Sequence, residues 1–263
     1  MDWIETILMI NLWRLVTMSY DMEMEEYHEE MEFKNKPKNI FITGVSSGLG
    51  EALMEEYIKQ GDQVYGISRT SVDRCKHVTC DLDEVGVIHQ KLYELLNDIT
   101  ELDVVILNAG LLGDIKTFDN WHQDEINQIM NVNVWSNKYI LDWLFRNNKK
   151  VKQVITISSG ASEHTYKGWG GYSISKAALR MLTEVYSKEV EDTHFMSLAP
   201  GLVDTSMQDY LCTQVNETEF PVIKKFKTSK KEKPLKIAKN IIKLLPKLKE
   251  YDYGSFIDLR KIK

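Results

Sequence analysis

The stretch TGVSSGLG at residues 43–50 follows a short apolar run (NIFIT, 39–43) and begins a segment with helical periodicity. Its glycines suit a strand-to-helix turn that binds a nucleotide. Gly44 permits the tight turn, Gly48 lets the backbone approach a pyrophosphate, and Gly50 allows the helix to pack closely on the sheet. The free N–H groups and the positive end of the helix then face the phosphates. The spacing is GxxxGxG rather than GxGxxG, so the prediction depends on the position between strand and helix.

From this turn onward, apolar runs of strand length alternate with helix-periodic segments. The expected strands are 39–43, 63–68, 77–80, 103–107, 152–158, 194–199 and 253–258. The expected helices are 49–60, 83–98, 122–146, 171–190 and one that Pro234 opens and that stops near Pro246. Strands that are apolar on both faces and separated by helices indicate a parallel sheet covered on both sides. The predicted fold class is therefore α/β, a single Rossmann-type doubly wound parallel sheet with helices on both faces.

Composition narrows the class of protein. The chain has 263 residues and carries 33 basic and 39 acidic side chains, a formal charge of −6. Its length suits one α/β domain, or at most two small ones. With 43% hydrophobic and 27% charged residues, it is not collagen-like, a coiled coil or wholly disordered. No basic surplus is available to neutralise phosphates, so no nucleic-acid partner is expected.

Targeting signals are weak. No run reaches the about 18 to 20 apolar residues that span a bilayer. The best candidate, TILMINLWRLVTM at 6–18, is interrupted by Asn11 and Arg14. We therefore expect neither a secretory signal nor stable membrane insertion. The three cysteines are too few for a disulfide framework and fit a reducing compartment, which favours a cytoplasmic location.

Residues 1–38 differ from the rest of the chain. They hold six of the eleven methionines and an acidic run at 21–32. We interpret them as an N-terminal extension, an apolar helical stretch followed by a charged linker, without a role in the chemistry. The alternative is an amphipathic helix that docks on a membrane or a partner, but its polar face is poorly charged. Residues 39–263 are the expected catalytic domain.

The end of the second expected strand indicates which dinucleotide binds. An NAD site places a carboxylate there for the ribose 2′-hydroxyl. This chain has Ser68-Arg69-Thr70 instead, and a guanidinium with two hydroxyls suits a 2′-phosphate. The sequence thus predicts NADP(H), with NAD(H) as the alternative. Asp81 and Leu82, after the third strand, are placed to contact the adenine.

A second candidate site lies on the helix expected at 171–190. Tyr172 and Lys176 are four residues apart and so share one helix face. A neighbouring positive charge favours the phenolate and lowers the pKa of a phenol from about 10 toward working pH. A tyrosine with such a pKa can protonate a developing alkoxide. The pair alone is weak, since the number of Tyr and Lys residues makes one such spacing expected by chance.

Further polar segments follow other strands. Ser158-Ser159-Gly160, Asn108-Ala109-Gly110 and Pro200 to Thr205 each leave a strand at the carboxyl edge of the sheet, where open α/β sheets bind ligands. Asn133 lies within an expected helix, in Val132-Asn133-Val134, and needs a hydrogen-bonding reason. These elements are predicted to converge on one rim with the glycine turn.

The combination resembles the short-chain dehydrogenase/reductase family over residues 39–259. The matching pieces are TGVSSGLG at 43–50, NAG at 108–110, NV at 133–134, ISS at 157–159, YSISK at 172–176 and PGLVDT at 200–205. The segments TISSGASEHTYKGWGGYSISKAA and LAPGLVDTSMQ are similar to bacterial benzil reductases and sepiapterin reductases. The resemblance implies hydride transfer from a nicotinamide to a carbonyl carbon.

The resemblance assigns catalytic roles to four residues. It implies that Tyr172 protonates the substrate oxygen, that Lys176 lowers its pKa and holds the nicotinamide ribose, and that Ser159 polarises the carbonyl. Asn133 is expected to seat a water that links Lys176 to solvent. Ser158 is the alternative to Ser159, and Asn131 competes with Asn133.

The resemblance also extends the cofactor site to the segment after the sixth strand, where Thr205 and the backbone near Val203 contact the nicotinamide amide and phosphate. The residues expected to bind cofactor are Gly44, Ser46, Ser47, Gly48, Leu49, Gly50, Ser68, Arg69, Thr70, Asp81, Leu82, Asn108, Ala109, Gly110, Tyr172, Lys176, Pro200, Gly201, Val203 and Thr205. No metal is expected, because the six histidines lack ligand spacing.

For the substrate, the resemblance implies an apolar lid at about 206–233. The residues expected to contact substrate are Ser159, Trp169, Met207, Tyr210 and Asp258. The expected activity is NADPH-dependent reduction of a small dicarbonyl or a pterin side-chain ketone, by a homodimer or homotetramer that pairs through the two long helices. The alternatives are a non-catalytic NADP-binding regulatory or scaffold protein and an alcohol dehydrogenase that works in the oxidative direction.

Overall fold

A computed structural model describes residues 36–262 of the chain. The residues from Lys38 onward form one compact unit. The expected extension at 1–38 falls, apart from its last three residues, outside the described residues. No helix among the described residues is long and apolar enough to cross a membrane.

A parallel sheet of seven strands forms the centre of the described part. Its strands are β1 (Asn39–Thr43), β2 (Gln63–Ser68), β3 (Lys76–Thr79), β4 (Glu101–Leu107), β5 (Lys150–Ile157), β6 (His194–Ala199) and β7 (Phe256–Asp258). The spatial order is β3-β2-β1-β4-β5-β6-β7, with every neighbouring pair parallel. The chain crosses over between β1 and β4, which creates the crevice where such sheets bind ligands.

Helices cover both faces of this sheet. They are α1 (Gly48–Lys59), α2 (Ile88–Leu96), α3 (Gln123–Met130), α4 (Ser136–Arg146), α5 (Gly170–Glu189), α6 (Ser206–Thr213), α7 (Val222–Thr228) and α8 (Pro234–Leu248). Alternate residues of β1 point to opposite cores: Ile40 and Ile42 pack in the core with α1 and α8, whereas Phe41 packs in the core with α2 and α4. The predicted doubly wound α/β fold is confirmed.

The helix expected at 122–146 is interrupted. A π-helical turn at Asn131–Trp135 separates α3 from α4. Its position has a visible cause, because the buried Asn133 side chain bonds to a neighbouring loop and to α5. Single π turns are frequent at functional sites.

Two helices lie near the C-terminus. The first part of the lysine-rich stretch at 224–233 belongs to α7, because Ile223 and Phe226, three residues apart, are both buried. Helix α8 ends near Pro246, as expected, with Leu248 as its last residue. Leu248 is fully buried, and its burial offsets the hydrogen bond that the proline removes.

Candidate active site

A cavity of about 440 Å³ lies at the carboxyl ends of the strands. This volume is within the range of small-molecule sites. Its wall contains most residues expected from the sequence: Gly44, Ser46, Ser47, Gly48, Leu49, Ser68, Arg69, Asp81, Leu82, Asn108, Ala109, Gly110, Ser159, Trp169, Tyr172, Lys176, Pro200, Gly201, Val203, Thr205 and Met207. Five expected residues lie outside the wall: Gly50, Thr70, Asn133, Tyr210 and Asp258.

The glycine turn has the backbone that its sequence predicts. Gly44 and Gly48 adopt φ angles of 75° and 60°, which favour glycine. A Cβ atom on Gly50 would lie 2.1 Å from the carbonyl oxygen of Gly44. Gly50 is therefore outside the cavity wall for a physical reason: it lets the first turn of α1 pack against the loop rather than touch a ligand.

The start of α1 has donors available for an anion. Its N-cap, Ser47, has an extended backbone and makes no side-chain cap hydrogen bond. The first N–H groups of a helix have no partner within the helix. Thr205 lies beside them, since a Cβ atom on Gly48 would be 3.2 Å from its methyl carbon. These groups fit the pyrophosphate of a dinucleotide.

Asn108 connects β4 to the glycine turn. Its Nδ2 donates to the carbonyl oxygens of Thr43 (3.0 Å) and Gly44 (3.3 Å). The Thr43 hydroxyl accepts hydrogen bonds from the backbone N–H groups of Asn108 and Ala109, both at 2.9 Å. The side chain of Asn108 thus holds the turn in place between the ends of β1 and β4.

The opposite end of the crevice contains Arg69. Its neighbour Ser68 is buried and uses its hydroxyl within the protein, on the Thr70 carbonyl and on His77 Nε2, both at 2.8 Å. Arg69 is exposed, and no carboxylate of residues 36–262 forms an ion pair with it. Of the three residues expected here, only Arg69 therefore keeps its polar group for a ligand in the cavity wall.

Tyr172 and Ser159 meet in the cavity. Tyr172 is in the first turn of α5, and its hydroxyl is close enough to Ser159 for this serine to favour its phenolate form. The Ser159 hydroxyl also accepts the N–H of Ala161 at 3.1 Å. Ser158 is buried, and its hydroxyl has no partner among the described residues. Ser159, and not Ser158, is the serine placed to act with the tyrosine.

Burial governs the protonation of Tyr172 in this structure. It raises the pKa of Tyr172 to about 12, although the hydrogen bond with Ser159 acts in the opposite direction. The expected lowering of this pKa by Lys176 is therefore not observed, because the desolvation of the phenolate dominates. The phenol therefore stays protonated at neutral pH.

Lys176 lies under Tyr172. Its Nζ is 5.8 Å from the centroid of the tyrosine ring and donates to the carbonyl oxygen of Ile157 at 2.8 Å. Burial lowers the pKa of Lys176 to about 8. The ammonium is thus present at neutral pH but gives up its proton more readily than an exposed lysine does.

Asn133 holds the surrounding backbone. Its Oδ1 accepts the N–H of Leu111 (2.7 Å), and its Nδ2 donates to the Leu111 carbonyl and to the Ser175 hydroxyl, both at 2.8 Å. Asn131 instead bonds to Asp83, away from this cluster. Of the two candidate asparagines, Asn133 is the one that bonds to α5, the helix that carries Tyr172 and Lys176. Its side chain is committed to these bonds, and its backbone carbonyl accepts Asn137 Nδ2 at 2.9 Å.

The comparison with known proteins follows this geometry. The short chain dehydrogenase family matches residues 38–216. The chain belongs to this family. It is therefore an oxidoreductase that acts on carbonyl or hydroxyl groups of a small molecule with a nicotinamide cofactor.

Named relatives cover most of this short-chain dehydrogenase. A benzil reductase ((S)-benzoin forming) from Bacillus cereus is 30% identical over 247 residues, which are 83% of this chain and 97% of that protein. Sepiapterin reductase from Xenopus laevis is 27% identical over 82% of this chain and 93% of that protein. The crystal structure of the YIR035C short-chain dehydrogenase/reductase from Saccharomyces cerevisiae superposes with a TM-score of 0.76 and 23% identity, over 85% of this chain and 96% of that one.

Sequence reasoning missed part of the wall of this short-chain dehydrogenase. The residues that it did not single out include Gln128, Val132, His164, Tyr166, Phe226 and Arg260. They come from five separate segments, so no local spacing could have connected them. The clearest available signal was the burial periodicity of α7, which points Phe226 inward.

The segment expected as a lid covers one side of the cavity. Helices α6 and α7 contribute Met207, Leu211 and Phe226 to its wall. A β-bridge between Val203, just before the segment, and Glu232, near its end, brings the two ends together. Tyr210 packs against the apolar cluster that contains Leu211 and Phe226, but it does not reach the cavity wall. Among residues 36–262, no group of three or more His, Cys, Asp or Glu side chains could hold a metal ion.

Lys176→Met should show the cost of the buried ammonium. The pKa of Lys176 is about 8 in the folded chain and 10.5 ordinarily, so the unfolded chain holds more protons between these values. The stability of the wild type therefore rises with pH across this window. Lys176→Met has no group that titrates here, so its own stability should not rise over this window. The free energy of unfolding of Lys176→Met minus that of the wild type should therefore be highest below pH 8. This difference should fall by up to about 3 kcal/mol as the pH rises toward 10.5.

Urea unfolding at several pH values measures this difference. Lys188→Met, an exposed lysine on the same helix, is the matched control and should show no comparable trend. If the free energy of unfolding of Lys176→Met instead rises relative to that of the wild type between pH 8 and 10, burial does not lower the pKa of Lys176.

Proposed function

We propose that this short-chain dehydrogenase is an NADPH-dependent carbonyl reductase that acts on a small dicarbonyl or a related ketone, as the names of its benzil and sepiapterin reductase relatives suggest. The observation that carries the proposal is the placement of Tyr172, Ser159 and Lys176 together in the wall of one cavity with the glycine turn.

The chain's own groups account for the proton. The hydroxyls of Ser159 and Tyr172 are placed to orient the carbonyl oxygen, and a nicotinamide held in the same cavity would supply the hydride to the carbonyl carbon. Tyr172 gives its proton to that oxygen as negative charge develops on it. The Lys176 ammonium then stabilises the phenolate and can return a proton to it, which its lowered pKa assists. The product is the alcohol.

The state of Tyr172 suits proton donation. Burial raises the pKa of Tyr172 to about 12, so the phenol carries its proton at neutral pH, as carbonyl reduction requires. A non-catalytic NADP-binding protein would not need the buried hydroxyl pair at all, since burying polar groups costs stability.

The substrate end of the cavity is aromatic. Trp169 lies with its ring centroid 5.8 Å from that of Tyr172 and 5.4 Å from that of Phe226. Leu211 and Met207 complete an apolar wall. Such a surface favours aromatic or apolar carbonyl compounds.

A substrate panel tests the activity. Purified protein is mixed with NADPH and benzil, 1-phenyl-1,2-propanedione or sepiapterin, and the loss of NADPH absorbance is followed. We expect turnover of at least one diketone. Tight NADPH binding without turnover of any carbonyl would instead support the scaffold alternative.

Arg69 is the residue on which the preference for NADPH depends. Removing a guanidinium that bonds to a phosphate costs about 1.5 to 3 kcal/mol, so Arg69→Ala should raise the KM for NADPH about 10-fold to 100-fold. The KM for NADH should stay within about twofold, because NADH lacks the 2′-phosphate.

The matched control for this prediction is Arg74→Ala. Arg74 lies in the same connection between β2 and β3 but is paired with Glu51 and Glu55, outside the cavity wall. Its removal should change neither KM. A wild-type enzyme that clearly prefers NADH would refute the assignment.

We also propose that two copies pair through the long helices and that the enzyme works in a reducing compartment such as the cytoplasm. In support, Trp135, Ile174 and Met181 are exposed apolar side chains on the π turn and α5. All three cysteines are free thiols. Light scattering on a size-exclusion column tests the assembly, and a monomer at all concentrations would contradict it.

A further inference from the structure

Arg260 brings a fixed positive charge to the cavity wall. It lies in the 3₁₀ turn Leu259–Lys261, directly after β7. No sequence motif pointed to it. Guanidinium groups remain protonated throughout the working pH range of enzymes and offer five N–H donors in a planar fork.

Asp258 holds this guanidinium in place. Its carboxylate is buried and accepts three hydrogen bonds from the Arg260 side chain: from Nε at 2.9 and 3.2 Å, and from Nη2 at 2.5 Å. It also accepts the backbone N–H of Arg260 at 3.0 Å. The pairing with Arg260 lowers the pKa of Asp258. Both carboxylate oxygens are thus committed within the protein.

This arrangement changes the interpretation of Asp258. The sequence suggested that it contacts the substrate, but the structure places it behind Arg260 and outside the cavity wall. It is a positioning residue for the arginine. The charged group that reaches the cavity from this strand is therefore a hydrogen-bond donor rather than an acceptor.

Arg260 lies close to the reacting end of the cavity. A Cβ atom on Gly160, the residue after Ser159, would be 3.5 Å from Nη2 of Arg260. A Cβ atom on Gly201, just after β6, would be 3.1 Å from its Cδ. Larger residues at these two positions would crowd the arginine. The Nη1 donors have no acceptor among residues 36–262, so they are free to bind a ligand.

We propose that Arg260 determines substrate choice by donating hydrogen bonds to a second acceptor oxygen, a carboxylate or a carbonyl, that lies a few bonds from the reacting carbonyl. This inference rests on the proposed function, in which Ser159 and Tyr172 hold the reacting carbonyl. It selects 1,2-dicarbonyl compounds and 2-oxo acids over simple ketones. A substrate whose distal group is a donor finds no free carboxylate at Asp258.

Three matched probes separate the chemistry. Phenylglyoxylate carries a carboxylate beside its ketone, 1-phenyl-1,2-propanedione carries a second carbonyl, and propiophenone carries neither. The dissociation constant of each is measured calorimetrically on the protein with NADP⁺ bound, and kcat and KM are measured with NADPH. The binding measurement does not require turnover.

Arg260→Gln removes the charge and the fork. A hydrogen bond from a charged group contributes about 10-fold to 100-fold in affinity. We expect Arg260→Gln to bind phenylglyoxylate about 30-fold more weakly and to raise the KM for the diketone about 10-fold. The dissociation constant and the KM for propiophenone should stay within about twofold of the wild-type values. Arg260→Lys, which keeps the charge but loses the fork, should lose less affinity for phenylglyoxylate, about 5-fold.

Lys261→Gln is the matched control. It removes the neighbouring positive charge, which lies 3.8 Å from Glu163 and outside the cavity wall, and should change none of these values. Asp258→Asn should raise the KM for the diketone while kcat on propiophenone is unchanged, a split that a merely structural role would not produce.

The outcomes are separable. Equal affinity for phenylglyoxylate in the wild type and Arg260→Gln overturns the inference; if that variant does not fold, equal affinity in Arg260→Lys does so. If the wild type binds phenylglyoxylate more tightly than Arg260→Gln does but reduces no carbonyl, the proposed function is wrong. The binding site for an acceptor oxygen at Arg260 would still be supported. Equal losses on all three probes would show that Arg260 supports the fold, which also overturns the inference.

Discussion

Tyr172→Phe is expected to lower kcat about 1,000-fold with any carbonyl that the wild type reduces, while the affinity for NADPH stays within a few-fold. A positioned general acid contributes about 100-fold to 10,000-fold. The phenyl ring keeps the packing of Tyr172 against Trp169, and only the hydroxyl in the cavity wall is lost. Steady-state kinetics and NADPH fluorescence titration measure the two effects.

Tyr57→Phe is the matched control for this change. Tyr57 is buried in α1, and its hydroxyl has no partner among the described residues. Removing that hydroxyl should leave kcat unaltered. Near-wild-type turnover by Tyr172→Phe would show that another group supplies the proton, and the mechanism proposed above would then be wrong.

Gly50→Ala is expected to weaken NADPH binding more than tenfold and to lower the free energy of unfolding by about 1 to 3 kcal/mol. The added Cβ would meet the Gly44 carbonyl oxygen at 2.1 Å and Asn108 Nδ2 at 2.5 Å. A backbone oxygen cannot rotate away, so the start of α1 must move from the glycine turn. That movement displaces the N–H donors that face the phosphates.

Gly86→Ala provides the comparison. A Cβ atom on Gly86 meets nothing within 4 Å, and this residue lies outside the cavity wall. We expect wild-type NADPH affinity and stability. If Gly50→Ala behaves like Gly86→Ala in fluorescence titration and thermal unfolding, the close packing of α1 on the turn does not support cofactor binding.

The interrupted long helix shows where sequence reasoning stops. The periodicity over 122–146 correctly indicates helix on both sides of Asn133: α3 packs Ile126, Ile129 and Met130 against the core, and α4 buries several apolar residues. The π turn between them arises from bonds of Asn133 to Leu111 and Ser175, 22 and 42 residues away. A pattern of neighbours carries no information about such distant partners. The same limit explains why a role for Asn133 near α5 followed from the family resemblance and not from spacing.

Protonation is a second property that spacing could not give. The four-residue interval placed Tyr172 and Lys176 on one helix face, and they do lie together. The sequence suggested a lowered tyrosine pKa, yet burial raises it. Charge is visible in a sequence, whereas the depth of a side chain below the surface is set by all the elements that cover it.

The sequence by itself determined the features that depend on neighbours along the chain. The apolar runs predicted the parallel sheet, and the glycines predicted the turn into α1. The residues that follow each strand predicted most of the cavity wall. Tertiary structure alone decided which polar groups remain free for a ligand. The Ser68 hydroxyl is hydrogen-bonded to His77, and the Asp258 carboxylate is hydrogen-bonded to Arg260. The guanidinium of Arg260, and not the carboxylate of Asp258, therefore lies in the cavity wall. The physical reason is that a donor and an acceptor satisfy each other when folding brings them within about 3 Å, whatever their separation in sequence.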